Sequence, residues 1–203
     1  MWHNSENKGI FMSRNEETIN YLKTRRSVPL PFLQEPAPTS AELEEILTIG
    51  TRVPDHGKIV PWRLISYSGD ARVKIGEKLA ALALKRNPDM DEDAIKAEKK
   101  QFLPAPVTIG VISKTSEHFK VSELEQILSA GAVALNLVHG ANALGFGAHW
   151  VTRWFAYDDE AAKMLGASEG EQFVAFVHIG TASRRLEERD RPDLKEVVSE
   201  WVG

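Results

Sequence analysis

Apolar residues along this chain recur at helical spacing in its longer stretches and alternate or run together in its shorter ones, and the two rhythms predict different elements. Helical spacing marks residues 16–25, 40–51, 71–86, 90–102, 122–144, 158–166 and 193–202. The second of these carries its own start signal, with Thr39 or Ser40 as N-cap and Glu42 in the first turn. Strand-like runs are Arg63-Leu64-Ile65-Ser66-Tyr67, Val107-Thr108-Ile109-Gly110-Val111-Ile112, Ala148-His149-Trp150-Val151 and Phe173-Val174-Ala175-Phe176-Val177-His178-Ile179. Strands and helices alternate without the regular short repeat of a doubly wound sheet, so the pattern predicts an α+β layer structure. The helix over 122–144 is the most informative, because Ser129 to Ala141 is apolar or small nearly all round and a surface helix would show a polar face. At 1.5 Å per residue it spans about 33 Å, and its Ala and Gly positions allow close backbone approach.

Pro29, Pro31, Pro36 and Pro38 make residues 28–38 an extended surface connection. No repeat or linker divides the chain, so residues 13–203 are expected to form one domain, with residues 1–12 a loose extension and Met12 a plausible alternative start. The 203 residues, 42% of them hydrophobic, suffice for one core. A formal net charge of −4 carries no nucleic-acid footprint, and the absence of cysteine excludes disulfides, thiolate nucleophiles and Cys-ligated metals. No apolar run reaches the roughly 18 residues of a membrane span. A soluble, cytoplasmic protein is expected, with neither membrane nor nucleic acid as partner.

Three segments carry candidate chemistry: Thr24-Arg25-Arg26-Ser27, then Arg52-Val53-Pro54-Asp55-His56-Gly57-Lys58-Ile59-Val60-Pro61-Trp62, then Gly145-Phe146-Gly147-Ala148-His149-Trp150. In this order and spacing they resemble the nitroreductase family of flavin mononucleotide (FMN) enzymes, and in particular its short single-domain subgroup. The resemblance implies a nitroreductase-like fold, with a central, mostly antiparallel sheet flanked by helices in an intertwined homodimer and FMN at the subunit interface. It implies that Arg25 grips the phosphate, that Arg26 and Ser27 lie toward the ribityl chain and pyrimidine end, and that a basic residue after the last strand, Arg189 or Arg191, shares the phosphate. It further implies that Arg52 and His56 reach in from the partner subunit and that Trp150, Val151 and Thr152 pass beside the flavin. The common family form has serine or alanine at the position of Arg52, and only the short subgroup has arginine. Guanidinium suits a terminal phosphate because its fork binds two oxygens at once. Glu187, Glu188 and Asp190 make a solvated, mixed-charge loop of most of the arginines that follow the last strand.

Other chemistries are absent. Gly145 and Gly147 do not begin a dinucleotide fingerprint, since Trp150 holds the third glycine position, and Gly57-Lys58 is followed by Ile59 rather than the Ser or Thr of a P-loop. The histidines show no metal-binding spacing, no GxSxG elbow occurs, and His139 and His178, set in apolar runs, read as core residues. No metal and no catalytic side chain is expected.

With the cofactor carrying the redox chemistry, the resemblance implies two-electron transfer from NADH or NADPH to a nitroaromatic, quinone or similar small oxidant by a ping-pong mechanism. An FMN-binding protein with low turnover and a flavin-fragmenting or oxygen-using enzyme are the alternatives. The segment Asn87–Phe102 has acidic residues at its start and lysines near its end, a helix whose charges suit its own dipole. It is expected to be a weakly docked cover, with Phe102 facing the substrate.

Overall fold

A computed structural model of the chain describes residues 13–203, so the expected extension over residues 1–12 and the alternative start at Met12 lie outside the described residues. Residues 13–26 together with Glu187–Gly203 form one compact unit, and Ser27–Leu186 form another.

The smaller unit contains α1 (Glu16–Thr24), capped by Asn15, whose side chain accepts the Thr18 N–H. The helix expected over 193–202 is confined to Leu194–Val197. Its apolar residues remain exposed, and without an apolar face packed against something a short helix does not propagate.

The larger unit is built in chain order from β1 (Leu33–Gln34), α2 (Ser40–Gly50), β2 (Trp62–Ser68), α3 (Asp70–Arg86), α4 (Glu92–Lys99), β3 (Val107–Ser113), α5 (Glu123–Ala143), β4 (Gly147–Val151), α6 (Asp159–Met164) and β5 (Gln172–Ala182). Its sheet has the order β1-β5-β3-β2, with β4 also paired to β5, and every one of these pairings is antiparallel. The fold is α+β, a mostly antiparallel sheet flanked by helices, as the alternation of elements predicts. Both α2 and α5 begin with a capping box, Thr39 with Glu42 and Ser122 with Glu125.

Residues alternate between two apolar layers. On one face Val107, Ile109, Val111, Ala175, Val177 and Ile179 pack with α5 residues Val133, Ala134, Leu137 and Val138 and with Ile46 of α2. On the other, Tyr67, Ile112, Phe173 and Phe176 meet Leu79 and Leu82 of α3, Phe102, Phe155 and Leu165. The strand register sets Tyr67, Thr108, His178 and His149 in one row across the sheet.

Two expectations are corrected here. Residues 28–38 are more than a surface connection: Val28, Leu30 and Leu33 form a buried cluster with Ala105, and β1 pairs with the end of β5. The segment after α3 is firmly docked. Gly76 lets the helices close up, since a Cβ there would stand 2.0 Å from the Lys99 carbonyl oxygen. Lys99 pairs with Glu77 at 2.9 Å, and the Trp154 indole N–H donates to Glu98 Oε2 at 3.0 Å. Phe102, expected at the substrate, is 0% exposed. Its ring lies 5.4 Å from Tyr67, 5.5 Å from Phe155 and 5.6 Å from Phe176, and it anchors the segment in the core.

Candidate active site

The turn from Arg52 to Trp62 is held by its own Asp55. Asp55 Oδ1 accepts the Ile59 N–H at 3.1 Å and Oδ2 accepts the Val60 N–H at 2.9 Å. The chain between them takes positive φ at Gly57 (75°), Lys58 (54°) and Val60 (53°). For a β-branched residue such as Val60 that conformation costs on the order of 1–3 kcal/mol and persists only where the surroundings over-determine it.

They do so through α5. Asn136 Nδ2 donates to the Arg52 carbonyl at 2.8 Å and to that of Ile49 at 3.3 Å. Ser129 Oγ donates to the Pro54 carbonyl at 2.8 Å and accepts the Trp62 indole N–H at 3.3 Å. His56 Nδ1 lies 3.1 Å from Glu125 Oε1. Glu125, Ser129 and Asn136 are spaced four and seven residues apart, one side of the helix, so the turn is fastened along that side while the side chains of Arg52 and His56 stay exposed.

The second expected segment docks on β4. The Val28 N–H donates to the Ala148 carbonyl, and His149 Nδ1 donates to the Val28 carbonyl, each at 2.9 Å. Ser27 therefore sits one residue from the edge of β4, and its side chain is exposed. Gly147 permits this strap, because a Cβ there would meet Leu33 Cδ2 at 2.7 Å and Val28 Cγ2 at 2.9 Å. Trp150, opposite Val177, is 38% exposed, Val151 packs toward the aromatic layer, and Thr152 is exposed. Two residues on, Trp154 is clasped by Glu98 and by the Arg86 guanidinium, 5.8 Å above its ring.

The remaining expected cations belong to the smaller unit, where the structure gathers them at the end of α1. Arg25 is the C-cap residue, its N–H bonded to the Tyr21 carbonyl at 2.8 Å. Arg26 Nη1 donates to the Glu187 carbonyl, and Arg191 Nη2 reaches the Arg25 carbonyl at 3.5 Å and Glu188 Oε1 at 3.3 Å. The Arg189 N–H donates to Glu188 Oε1 at 2.8 Å. Arg184 is used elsewhere, stacked 3.6 Å over Phe32 in the larger unit.

Of the core histidines, His178 is buried at 1% exposure, with Nδ1 2.9 Å from Thr108 Oγ1, and burial first, then the charges of His149 and Arg153, pushes its pKa down to about 3. His139 is only half-buried. Glu125, Ser129 and Asn136 escape a motif-based reading, yet they are polar positions on one side of a mostly apolar helix, and that spacing is the signal that would have found them. Among the described residues no group of His, Cys, Asp and Glu could hold a metal ion, and no helix is long and apolar enough to cross a membrane.

Comparison with known proteins gives the same frame. The profile of the Nitroreductase family matches residues 22–181. A relative named Putative NAD(P)H nitroreductase YdjA, from Escherichia coli (strain K12), is 33% identical over 165 residues, covering 81% of this chain and 88% of that protein. A nitroreductase-like family protein from Bacillus cereus superposes with a TM-score of 0.78 at 24% identity, over 95% of this chain and 100% of the other. A nitroreductase with bound FMN from Desulfitobacterium hafniense DCB-2 superposes with a TM-score of 0.64 at 19% identity, over 94% of this chain and 100% of the other. With the profile spanning most of the sequence and a relative 33% identical over 81% of the chain, the chain belongs to the nitroreductase family, a family of oxidoreductases.

Proposed function

We propose that this protein is an FMN-dependent oxidoreductase that passes two electrons from NADH or NADPH to a nitroaromatic, quinone or similar small oxidant by ping-pong exchange, working as a homodimer with FMN at the subunit interface. The observation that carries the reading is the turn fastened to α5. Strained backbone persists where other contacts hold it, and here they hold exposed Arg52 and His56 on a rigid base, which suits a group that must reach across to another copy of the chain.

The surface of α5 supports the same arrangement. On α5, Leu124 (63%), Leu128 (62%) and Leu135 (43%) are exposed along one stripe. Gly131 lies between them, with nothing within 4 Å of the place a Cβ would take. Such a stripe suits burial against its own copy.

The residues present fit the cofactor by the chemistry of their donors. Arg25 and Arg26, with Arg189 or Arg191, supply guanidinium groups for a terminal phosphate. Ser27 offers a hydroxyl toward the ribityl chain and pyrimidine end. Trp150, Val151 and Thr152 would lie beside the ring, joined in a dimer by Arg52 and His56 of the second copy. FMN, when bound, supplies the two-electron chemistry. The protein's part is to bind and orient it and to concentrate positive charge where the reduced, anionic ring is stabilised. No side chain is needed as a general acid or base, and NAD(P)H and oxidant take turns at one open face.

The purified protein is expected to be yellow and to release FMN rather than FAD on denaturation, read by absorbance and chromatography. Colourless protein that takes up no added FMN would contradict the reading.

A further inference from the structure

The two capping boxes of this fold differ in one respect. In α2, Glu42 Oε2 accepts both the Thr39 N–H, at 2.8 Å, and the Thr39 hydroxyl, at 2.7 Å, and Oε1 has no partner among the described residues. In α5, Glu125 Oε2 does the same for Ser122, at 2.9 and 3.1 Å, but Oε1 is aimed at His56 Nδ1, 3.1 Å away. A helix cap needs only one carboxylate oxygen, so the second is free to orient the imidazole.

The Ser122 backbone N–H first, and His56 after it, hold the Glu125 carboxyl below its usual range. The ionised group has no proton to give, so His56 Nδ1 carries the hydrogen of this bond. In the neutral ring Nε2 is then a bare acceptor. The backbone on either side of His56 is already fixed by Ser129 at Pro54 and by the Asp55 carboxylate, so only the side-chain torsions remain to be set.

We propose that Glu125 is the positioning residue for His56: it locks the imidazole in the Nδ1–H tautomer and leaves Nε2 as an acceptor for a hydroxyl or N–H of the flavin. The assignment rests on the reading of His56 as a cofactor contact, and its test separates the two. In water imidazole favours the Nε2–H tautomer, so the lock has a direct signature. Nitrogen-15 NMR of the imidazole in the full-length protein is expected to show a protonated Nδ1 on His56, reverting toward Nε2–H in Glu125→Ala.

Ser122→Ala separates orientation from capping, because it removes the cap hydroxyl and keeps the His56 contact. In fluorescence titration with FMN, Glu125→Ala is expected to bind about tenfold more weakly, the lower end for one charge-assisted hydrogen bond, and Ser122→Ala to stay close to the parent. An unchanged His56 tautomer in Glu125→Ala, or equal losses of affinity in the two variants, would overturn the assignment. A parent protein that binds no FMN would sink the cofactor reading, while the imidazole spectrum still decides whether Glu125 sets the tautomer.

Discussion

Phe102 shows how far a residue's neighbours in sequence can mislead. It follows a run of charged residues at the end of α4, where an apolar side chain looks like surface left over for a ligand. The backbone turns there through the Lys100 N–H to Ala97 and Gln101 N–H to Glu98 bonds, and the ring is carried into the aromatic layer. Nothing local to the sequence specifies the direction of that turn. Replacing Phe102 with Ala is expected to cost about 3–5 kcal/mol in chemical denaturation, the range for emptying a buried aromatic site. Rates with several quinone and nitroaromatic oxidants should then move together with their ranking unchanged. A changed ranking at unchanged stability would return Phe102 to the substrate. By contrast, the family was legible, because Arg25, Arg26, His56 and Trp150 stand in short ordered motifs whose residue types and spacing are restrictive together. Glu125 was not legible, since its spacing from Ser122 marks at most a helix cap and says nothing of His56, 69 residues away in the chain.

At the scale of elements, most helices and strands were readable from periodicity, and α1, α2, α4, α5 and α6 also carry a side-chain N-cap. The failures came where tertiary contacts decide. β1 is two residues long, and its pairing with β5 follows from the packing of Val28, Leu30 and Leu33 rather than from any pattern of its own. The last helix has apolar residues at helical spacing but remains short where they stay exposed.

Element packing also predicts a pH response. His178, in β5, is held neutral by burial, with its pKa lowered from 6.5 to about 3. The unfolded chain therefore takes up a proton as pH falls below about 6.5 while the folded chain does not, so stability is lost on acidification, by at most about 1.4 kcal/mol per pH unit for this one group. Glu171, bonded by Arg63 at 2.7 Å through Nε, has its pKa lowered from 4.5 to about 2 and adds a loss of the same sign below about 4.5. Thermal midpoints measured from pH 8 to pH 4 are expected to fall, and replacement of His178 by a neutral residue that still bonds Thr108 should flatten the upper part of that fall. A midpoint that rises toward pH 5 would show that these groups do not govern acid stability.

For the whole molecule, the central proposal is a site completed by a second copy of the chain. The exposed stripe lies on the same helix, α5, that fastens the turn, so in the proposed dimer burial of the stripe and completion of the site would be coupled. Mixing an Arg25→Ala chain with a His56→Ala chain and refolding them together is expected to restore one good FMN site per heterodimer, read as recovered stoichiometry in flavin titration. No recovery would place both residues in the same subunit's site.

The most direct test of the proposed activity is anaerobic addition of NADH or NADPH to the FMN-loaded protein, followed in the visible absorption band of the oxidised flavin. The proposed reductase is expected to bleach rapidly and to regain its colour on adding a quinone or nitroaromatic. Bound flavin that stays oxidised under both nicotinamides would contradict it and leave a protein that holds FMN without turning it over.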